Sequence, residues 1–315
     1  MTHIASPESG AGAKESGRVC PASVRDGTGP ADQAATLRRM MHSPSAQEAA
    51  ETRTALTIAV TSGKGGVGKT NLAVNLAVCL QSRGLATTLA DLDVGLANAD
   101  VLLDVQPRRN LRDVLGGRCR LTEAATTAVN GLSFIAGSSG AEGLSCLDDS
   151  ARVALADRLT RLPGAAVIFD CAAGIAPAVM TFARAADVVL VVTTPEPTAL
   201  TDAYTTVKTL LREGYAGSVR LVVNMVESRP EAKDTYGRLR DVCQKFMRFP
   251  IADAGYLLHD THVELGVRQR VPFVLCYPKC PASICVAAIA ARLVTAGTAR
   301  KGQPGLWRRV AGMFT

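Results

Sequence analysis

The sequence predicts a doubly wound α/β fold, a mostly parallel sheet with helices on both faces. Short apolar runs recur from residue 55 onward, helical patterns lie between them, and a glycine-rich loop follows the first run. Several runs are apolar on consecutive residues, as parallel strands covered on both faces require. Strand–helix alternation of this kind places ligands beyond the carboxyl ends of the strands.

Strands are expected at LTIAV (56–60), ATTLA (86–90), LSFIA (132–136), AAVIFD (165–170), VVLVVTT (188–194) and VRLVVN (219–224). The stretch NLAVNLAVCLQSRG (71–84) reads as a helix closed by Gly84. Helical patterns also fit 149–162, 176–185, 198–213, 231–247 and 282–296. No internal repeat is visible.

Residues 1–52 are rich in Ala, Gly, Ser and Pro and read as a flexible tail. Within it, ADQAATLRRMM (31–41) puts Ala34, Leu37 and Met41 on one helical face. A helix this short is marginal alone, so it is expected either to fold on a partner or to pack on the body. Residues 53–298 form the expected catalytic domain, and 299–315 a linker with a terminal helix. In that helix Leu306, Trp307, Val310, Met313 and Phe314 share a face, with Arg308 and Arg309 opposite. A short basic amphipathic helix with Trp and Phe is a membrane-surface signature; packing on the body or on a partner is the other reading.

The chain has 315 residues, 47% hydrophobic, 20% charged and 4% aromatic, with a formal charge of +7. No apolar run reaches the roughly 18–20 residues needed to span a bilayer. The first residues lack a secretory apolar core, so a cytoplasmic protein is expected. Nine cysteines without paired spacing imply free thiols. The charge suits an acidic membrane surface or nucleic acid but selects neither. The scarcity of aromatics disfavours a single-strand stacking platform, so DNA is not the expected partner.

The chemistry starts at TSGKGGVGKTN (61–71). Gly63, Gly68, Lys69 and Thr70 satisfy the phosphate-loop spacing, after a strand and before a helix. Backbone N–H groups from Gly65, Gly66 and Val67 to Thr70 can ring a phosphate, and the helix N-terminus adds its dipole. Lys69 is expected at the β- and γ-phosphates of ATP and Thr70 at Mg²⁺, with Asn71 just beyond. Lys64 is surplus to this pattern, and the loop aims it outward. Asp91 and Asp93 stand two apart at the end of the second strand, where an extended chain points both to one side. Asp170 ends AAVIFD. Asn224 ends VRLVVN and offers both a donor and an acceptor.

K-G-G-V-G-K-T (64–70) resembles the deviant Walker A motif of the MinD/ParA ATPases. That resemblance implies an ATP-sandwich homodimer in which Lys64 reaches the partner's nucleotide. It implies that Asp93 orients the attacking water beside Asp91, that Asp170 holds Mg²⁺ through water, and that Asn224 pairs with adenine. PFVLCYP (272–278) would form the other wall of the base pocket. Within the family, KTNLAVNLA, DLDVGLANADVLL, VVNMVES and VRQRVPFVLCYPKCPAS look like the flagellar-number branch, the FlhG/YlxH/FleN type. ADQAATLRR resembles the segment that stimulates the FlhF GTPase, carried here by Asp32, Gln33, Leu37 and Arg38. The implied partners are a second copy of the chain, an FlhF-like GTPase, a flagellar switch (C-ring) protein and the anionic inner face of the membrane.

Where that branch usually has Thr-Gly-Ala-Gly-Ile after the Walker B aspartate, this chain has Cys171-Ala172-Ala173-Gly174-Ile175. The change affects the expected hydrolysis rate and keeps a division-site MinD reading open. A nucleotide-dependent anti-activator without catalysis and a DNA-partition ATPase are further alternatives. Cys276, Cys280 and Cys285 lack the C-x-x-C pair of the related iron–sulfur carriers. His259, Asp260 and His262 read as a surface loop without more ligands.

Overall fold

The strand patterns converge on a single sheet ordered β3-β4-β2-β5-β1-β6-β7-β8. The computed structural model describes residues 55–93, 98–137, 144 and 147–301. The segment 31–41 and the terminal helix from Leu306 therefore lie outside the described residues. The strands are β1 (Leu56–Ser62), β2 (Thr87–Leu92), β3 (Ala125–Thr127), β4 (Ser133–Ile135), β5 (Ala166–Ala173), β6 (Val188–Thr193), β7 (Ser218–Val226) and β8 (Ala252–Leu258). Every pair is parallel except β3–β4.

Helices cover both faces. They are α1 (Lys69–Gln81), α2 (Ala99–Leu103), α3 (Leu111–Leu115), α4 (Asp149–Thr160), α5 (Pro177–Ala185), α6 (Pro197–Arg212), α7 (Arg229–Met247), α8 (Thr261–Gln269), α9 (Phe273–Cys276) and α10 (Pro281–Lys301). Side-chain alternation along each strand divides the core in two. Ile58, Val60, Leu89, Ile168 and Leu190 meet α1 and α10. Ala59, Leu92, Val167, Phe169 and Val191 meet α4, α5, α6 and α7. Residues Leu72 to Leu80 of α1 are all buried, which explains why NLAVNLAVCLQ is apolar around its circumference.

Several boundaries differ from the sequence expectation. Strand β5 runs past Asp170 to Ala173, so Asp170 lies inside the strand rather than at its end. Strand β8 carries Asp253 and Gly255 and pairs only with β7. Such an edge strand needs no continuous apolar run, so no strand pattern marks it in the sequence. The antiparallel β3 is ATT alone, too short for any period to show. Helix α10 extends to Lys301, beyond residue 298, because TAGTARK holds no proline and its single glycine is tolerated at a cost of about 1 kcal/mol.

Candidate functional site

The sheet order puts β2, β5 and β1 side by side, so their carboxyl ends meet where the phosphate loop leaves β1. In the ladder Asp91 stands beside Asp170, and Val60 beside Asp170 from the other side. Alternation turns Asp91 and Asp170 toward the α1 face, the face on which the loop folds.

The loop's backbone is shaped by close approach and by handedness. Gly68 sits before α1 at φ 87°, and a Cβ there would meet the Asn224 amide nitrogen at 2.3 Å. Gly63 packs on α6, where a Cβ would meet the Asp202 carbonyl oxygen at 2.3 Å. Only glycine fits both constraints.

The two lysines of the loop have opposite surroundings. Lys69 opens α1 and is buried. Lys64 points outward, and its Nζ donates to Glu196 Oε2 at 2.6 Å and to Thr198 Oγ1 at 3.3 Å. Both partners belong to the start of α6. The ammonium holds the Glu196 carboxyl below its ordinary range through this hydrogen bond.

Asp170 is buried, and among the described residues neither carboxylate oxygen has a partner that meets full hydrogen-bond geometry; the Thr70 hydroxyl is its polar neighbour. Burial first, and then the neighbouring Asp91 charge, push its pKa up; the Thr70 hydroxyl and Lys69 oppose the rise. Asp91 is also pushed up by burial, against two backbone donors. These donors are Asp93 N–H to Oδ1 at 3.0 Å and Ala99 N–H to Oδ2 at 3.3 Å. Asp91 thus ties together both flanks of the segment 94–97, which itself lies outside the described residues. Asp93 lies one residue beyond the strand rather than at its end, so alternation alone does not set its direction, and its charge adds to the upward shift of both Asp91 and Asp170. Strand β2 ends at Leu92, and Asp93 turns back onto Asp91.

Asn224 is engaged at both ends of its amide. Nδ2 donates to the Val67 carbonyl at 2.8 Å and Oδ1 accepts from Met225 N–H at 2.9 Å. Met225 has φ 58° inside β7, a left-handed conformation that costs roughly 1–2 kcal/mol without a glycine. The strained residue directly follows Asn224, which contacts the phosphate loop, and such outliers cluster at functional sites.

Sequence reasoning missed two contributors. Glu196 is the partner of Lys64, and nothing local in the sequence flags a contact that far along the chain. Asn75 lies buried mid-helix, donating to Asn71 C=O at 2.8 Å and accepting Val274 N–H at 3.1 Å. It fixes the 272–278 segment, which forms α9, against α1. An asparagine inside the apolar stretch LAVNLAVCL was the available signal, because a buried amide requires partners. The Cys171 departure lies on the opposite face, among Phe169 and the α5 side chains. Burial raises its thiol pKa far out of the physiological range, so Cys171 is a packing residue.

These features agree with the comparisons. The CobQ/CobB/MinD/ParA nucleotide-binding domain model matches residues 58–272. The antiactivator FleN of Pseudomonas aeruginosa is 35% identical over 75% of this chain and 85% of its own. The flagellum site-determining protein YlxH of Helicobacter pylori is 36% identical over 59% of this chain and 64% of its own. The septum site-determining protein MinD of Pyrococcus horikoshii, solved with Mg-ADP, shares the fold at a TM-score of 0.64 and 24% identity. That likeness covers 78% of this chain and 99% of the other. The phosphate loop on β1, the paired aspartates on β2 and β5, and the span of these matches establish that the chain belongs to the CobQ/CobB/MinD/ParA family of nucleotide-binding proteins and is similar to its flagellar FleN and YlxH members.

Proposed function

We propose that the chain is an ATP-dependent switch of the MinD type that regulates flagellar number or placement. One observation carries the reading. The loop holds one buried lysine, Lys69, and one lysine turned out to the surface, Lys64, at the same nucleotide site. A nucleotide binder that works alone needs only Lys69. Lys64 suits the nucleotide of a second copy, so ATP would join two chains.

The donor set fits magnesium. Asp170 offers buried carboxylate oxygens that, among the described residues, have no fully formed hydrogen bond, beside the Thr70 hydroxyl and Lys69. Asp170 and Thr70 would hold the ion, which when bound neutralises charge on the β- and γ-phosphate oxygens. Lys69 and the backbone N–H groups of 65–70 bind the same phosphates. Asp93, set by its backbone bond to Asp91, orients the water for hydrolysis to ADP and phosphate. Asn224 is assigned to the adenine edge, for which it would exchange its Val67 bond.

Membrane attachment through Leu306, Trp307, Val310, Met313 and Phe314 belongs to the same reading, because two weak helices in a dimer bind with higher avidity than one. Among the described residues, no helix is long and apolar enough to cross a membrane. Stimulation of an FlhF-like GTPase by Asp32, Gln33, Leu37 and Arg38, and binding of a flagellar switch protein, rest on the sequence resemblance. The name of the FleN relative, an antiactivator, favours a second reading, in which the ATP-bound form sequesters a transcription regulator.

The test is sedimentation with ATP and Mg²⁺, with and without anionic vesicles, on the native chain, Asp93→Ala and Lys64→Ala. Dimers that accumulate in Asp93→Ala, pellet with vesicles and vanish in Lys64→Ala support the switch. A chain that stays monomeric in Asp93→Ala rules it out. Hydrolysis that is equal in the native chain and Asp93→Ala favours the non-catalytic reading.

A further inference from the structure

The fold joins two fragments of sequence that are each insufficient alone. Asp260 and His262 precede and open α8, and Cys280 precedes α10. One donor atom from each of Asp260, His262 and Cys280 lies within 4.8 Å of the others. Asp260 is held firmly in place. Its Oδ1 accepts from His262 N–H at 3.0 Å and lies 2.7 Å from His262 Nδ1, and its Oδ2 accepts Ala282 N–H at 3.0 Å. The Cys280 sulfur meets the Ser283 hydroxyl at 3.2 Å and backbone N–H at 3.4 Å. His262 leans on the Tyr277 ring at 4.7 Å between centroids and is half-exposed, which leaves solvent a path to the cluster.

We propose that Asp260, His262 and Cys280 form a site for a thiophilic divalent cation of the zinc class. The set combines a carboxylate, an imidazole and a thiol, the ligand types zinc prefers, with water for the fourth position. Ligand atoms around a tetrahedral zinc stand roughly 3–4 Å apart, from bond lengths of about 2.0–2.3 Å. The widest separation therefore needs to contract by about an ångström, and the Asp260 Oδ1–His262 Nδ1 pair to open from 2.7 Å by roughly half an ångström, both within the reach of small rotations of His262 and Cys280. Cys280 gives its thiol proton to solvent on binding. Magnesium is excluded as the occupant, since it demands oxygen donors. A bound ion would pin the start of α8 to the start of α10 and so close the chain around α9, the segment that Asn75 holds against α1. The cluster shares no residue with the magnesium site proposed at Asp170 and Thr70.

The experiment uses the full chain without an affinity tag, stripped by chelator and titrated with Co²⁺ and then Zn²⁺ alone. A thiolate-to-cobalt charge-transfer band should appear, be displaced by equimolar zinc, and be absent in Cys280→Ser. His262→Gln, at a half-exposed position, should fold normally by circular dichroism and bind at least tenfold more weakly. Zinc should raise the melting temperature of the native chain and not that of either variant. The thiolate band separates this site from ion binding at the phosphate loop, which has no sulfur ligand. No band, or a band and melting shift that survive in both variants, overturns the assignment.

Discussion

The buried and exposed ends of the phosphate loop carry the same residue type with different work to do. Lys69 is enclosed beneath the loop, near Asp170, where its charge meets whatever anion the backbone N–H groups collect. Lys64 stands at the surface, paired with Glu196 and Thr198 at the start of α6. An exposed pair of this kind contributes little to stability, so it can open readily when a stronger anion arrives. The buried lysine belongs to binding within one chain, and the exposed one to what happens between chains.

The strongest way to break this contrast is to remove Lys69. Lys69→Ala should weaken ATP binding by about 100-fold or more, equivalent to roughly 3 kcal/mol, in a fluorescent-nucleotide titration. Lys64→Ala, by contrast, should change monomer affinity less than about threefold, equivalent to under 1 kcal/mol, and abolish ATP-dependent dimers in sedimentation. Equal losses in the two variants would erase the division of labour.

Asp170→Asn should trade function for stability. The native carboxyl holds its proton more tightly when folded, because burial and Asp91 raise its pKa. The stability this contributes is fully present below the ordinary carboxylate pKa and is lost as pH rises through the raised value. The chain without nucleotide should therefore melt lower near pH 8 than near pH 5, and Asp170→Asn should flatten that slope. At neutral pH the variant should melt higher by about 2–4 °C per kcal/mol recovered, while magnesium-dependent nucleotide binding disappears. Calorimetry across pH checks both signs.

Glu196→Gln should have the smallest effect. The charge pair is exposed, so the melting temperature should move by less than about 2 °C. Release of Lys64 should nevertheless favour the ATP dimer, by up to about fivefold. A dimer weakened by Glu196→Gln would instead assign Glu196 to the interface itself.

The site was most legible where local chemistry dictates local shape. The 61–71 stretch specifies a strand, a tight loop and a helix start with adjacent residues, and the structure forms them as β1, the loop and α1. The consecutive apolar runs became the central strands, since a strand covered on both faces has no polar positions to hide it. Edge strands β3 and β8 were not legible, because one is too short and the other half-polar. The Asn75–Val274 and Lys64–Glu196 contacts were also hidden, since each joins residues far apart in the chain.

By itself the sequence determined the phosphate loop, the family and the order of the central elements. These follow from residues that act on their immediate neighbours through backbone freedom, periodicity and capping. Only the tertiary structure decided that Asp91 spends its carboxylate on backbone N–H groups while Asp170, among the described residues, has only the Thr70 hydroxyl and Lys69 as polar neighbours. It also brought Asp260 and His262 to Cys280. Neither arrangement follows from spacing along the chain, because strand pairing and helix packing set which buried groups meet and which remain for a ligand.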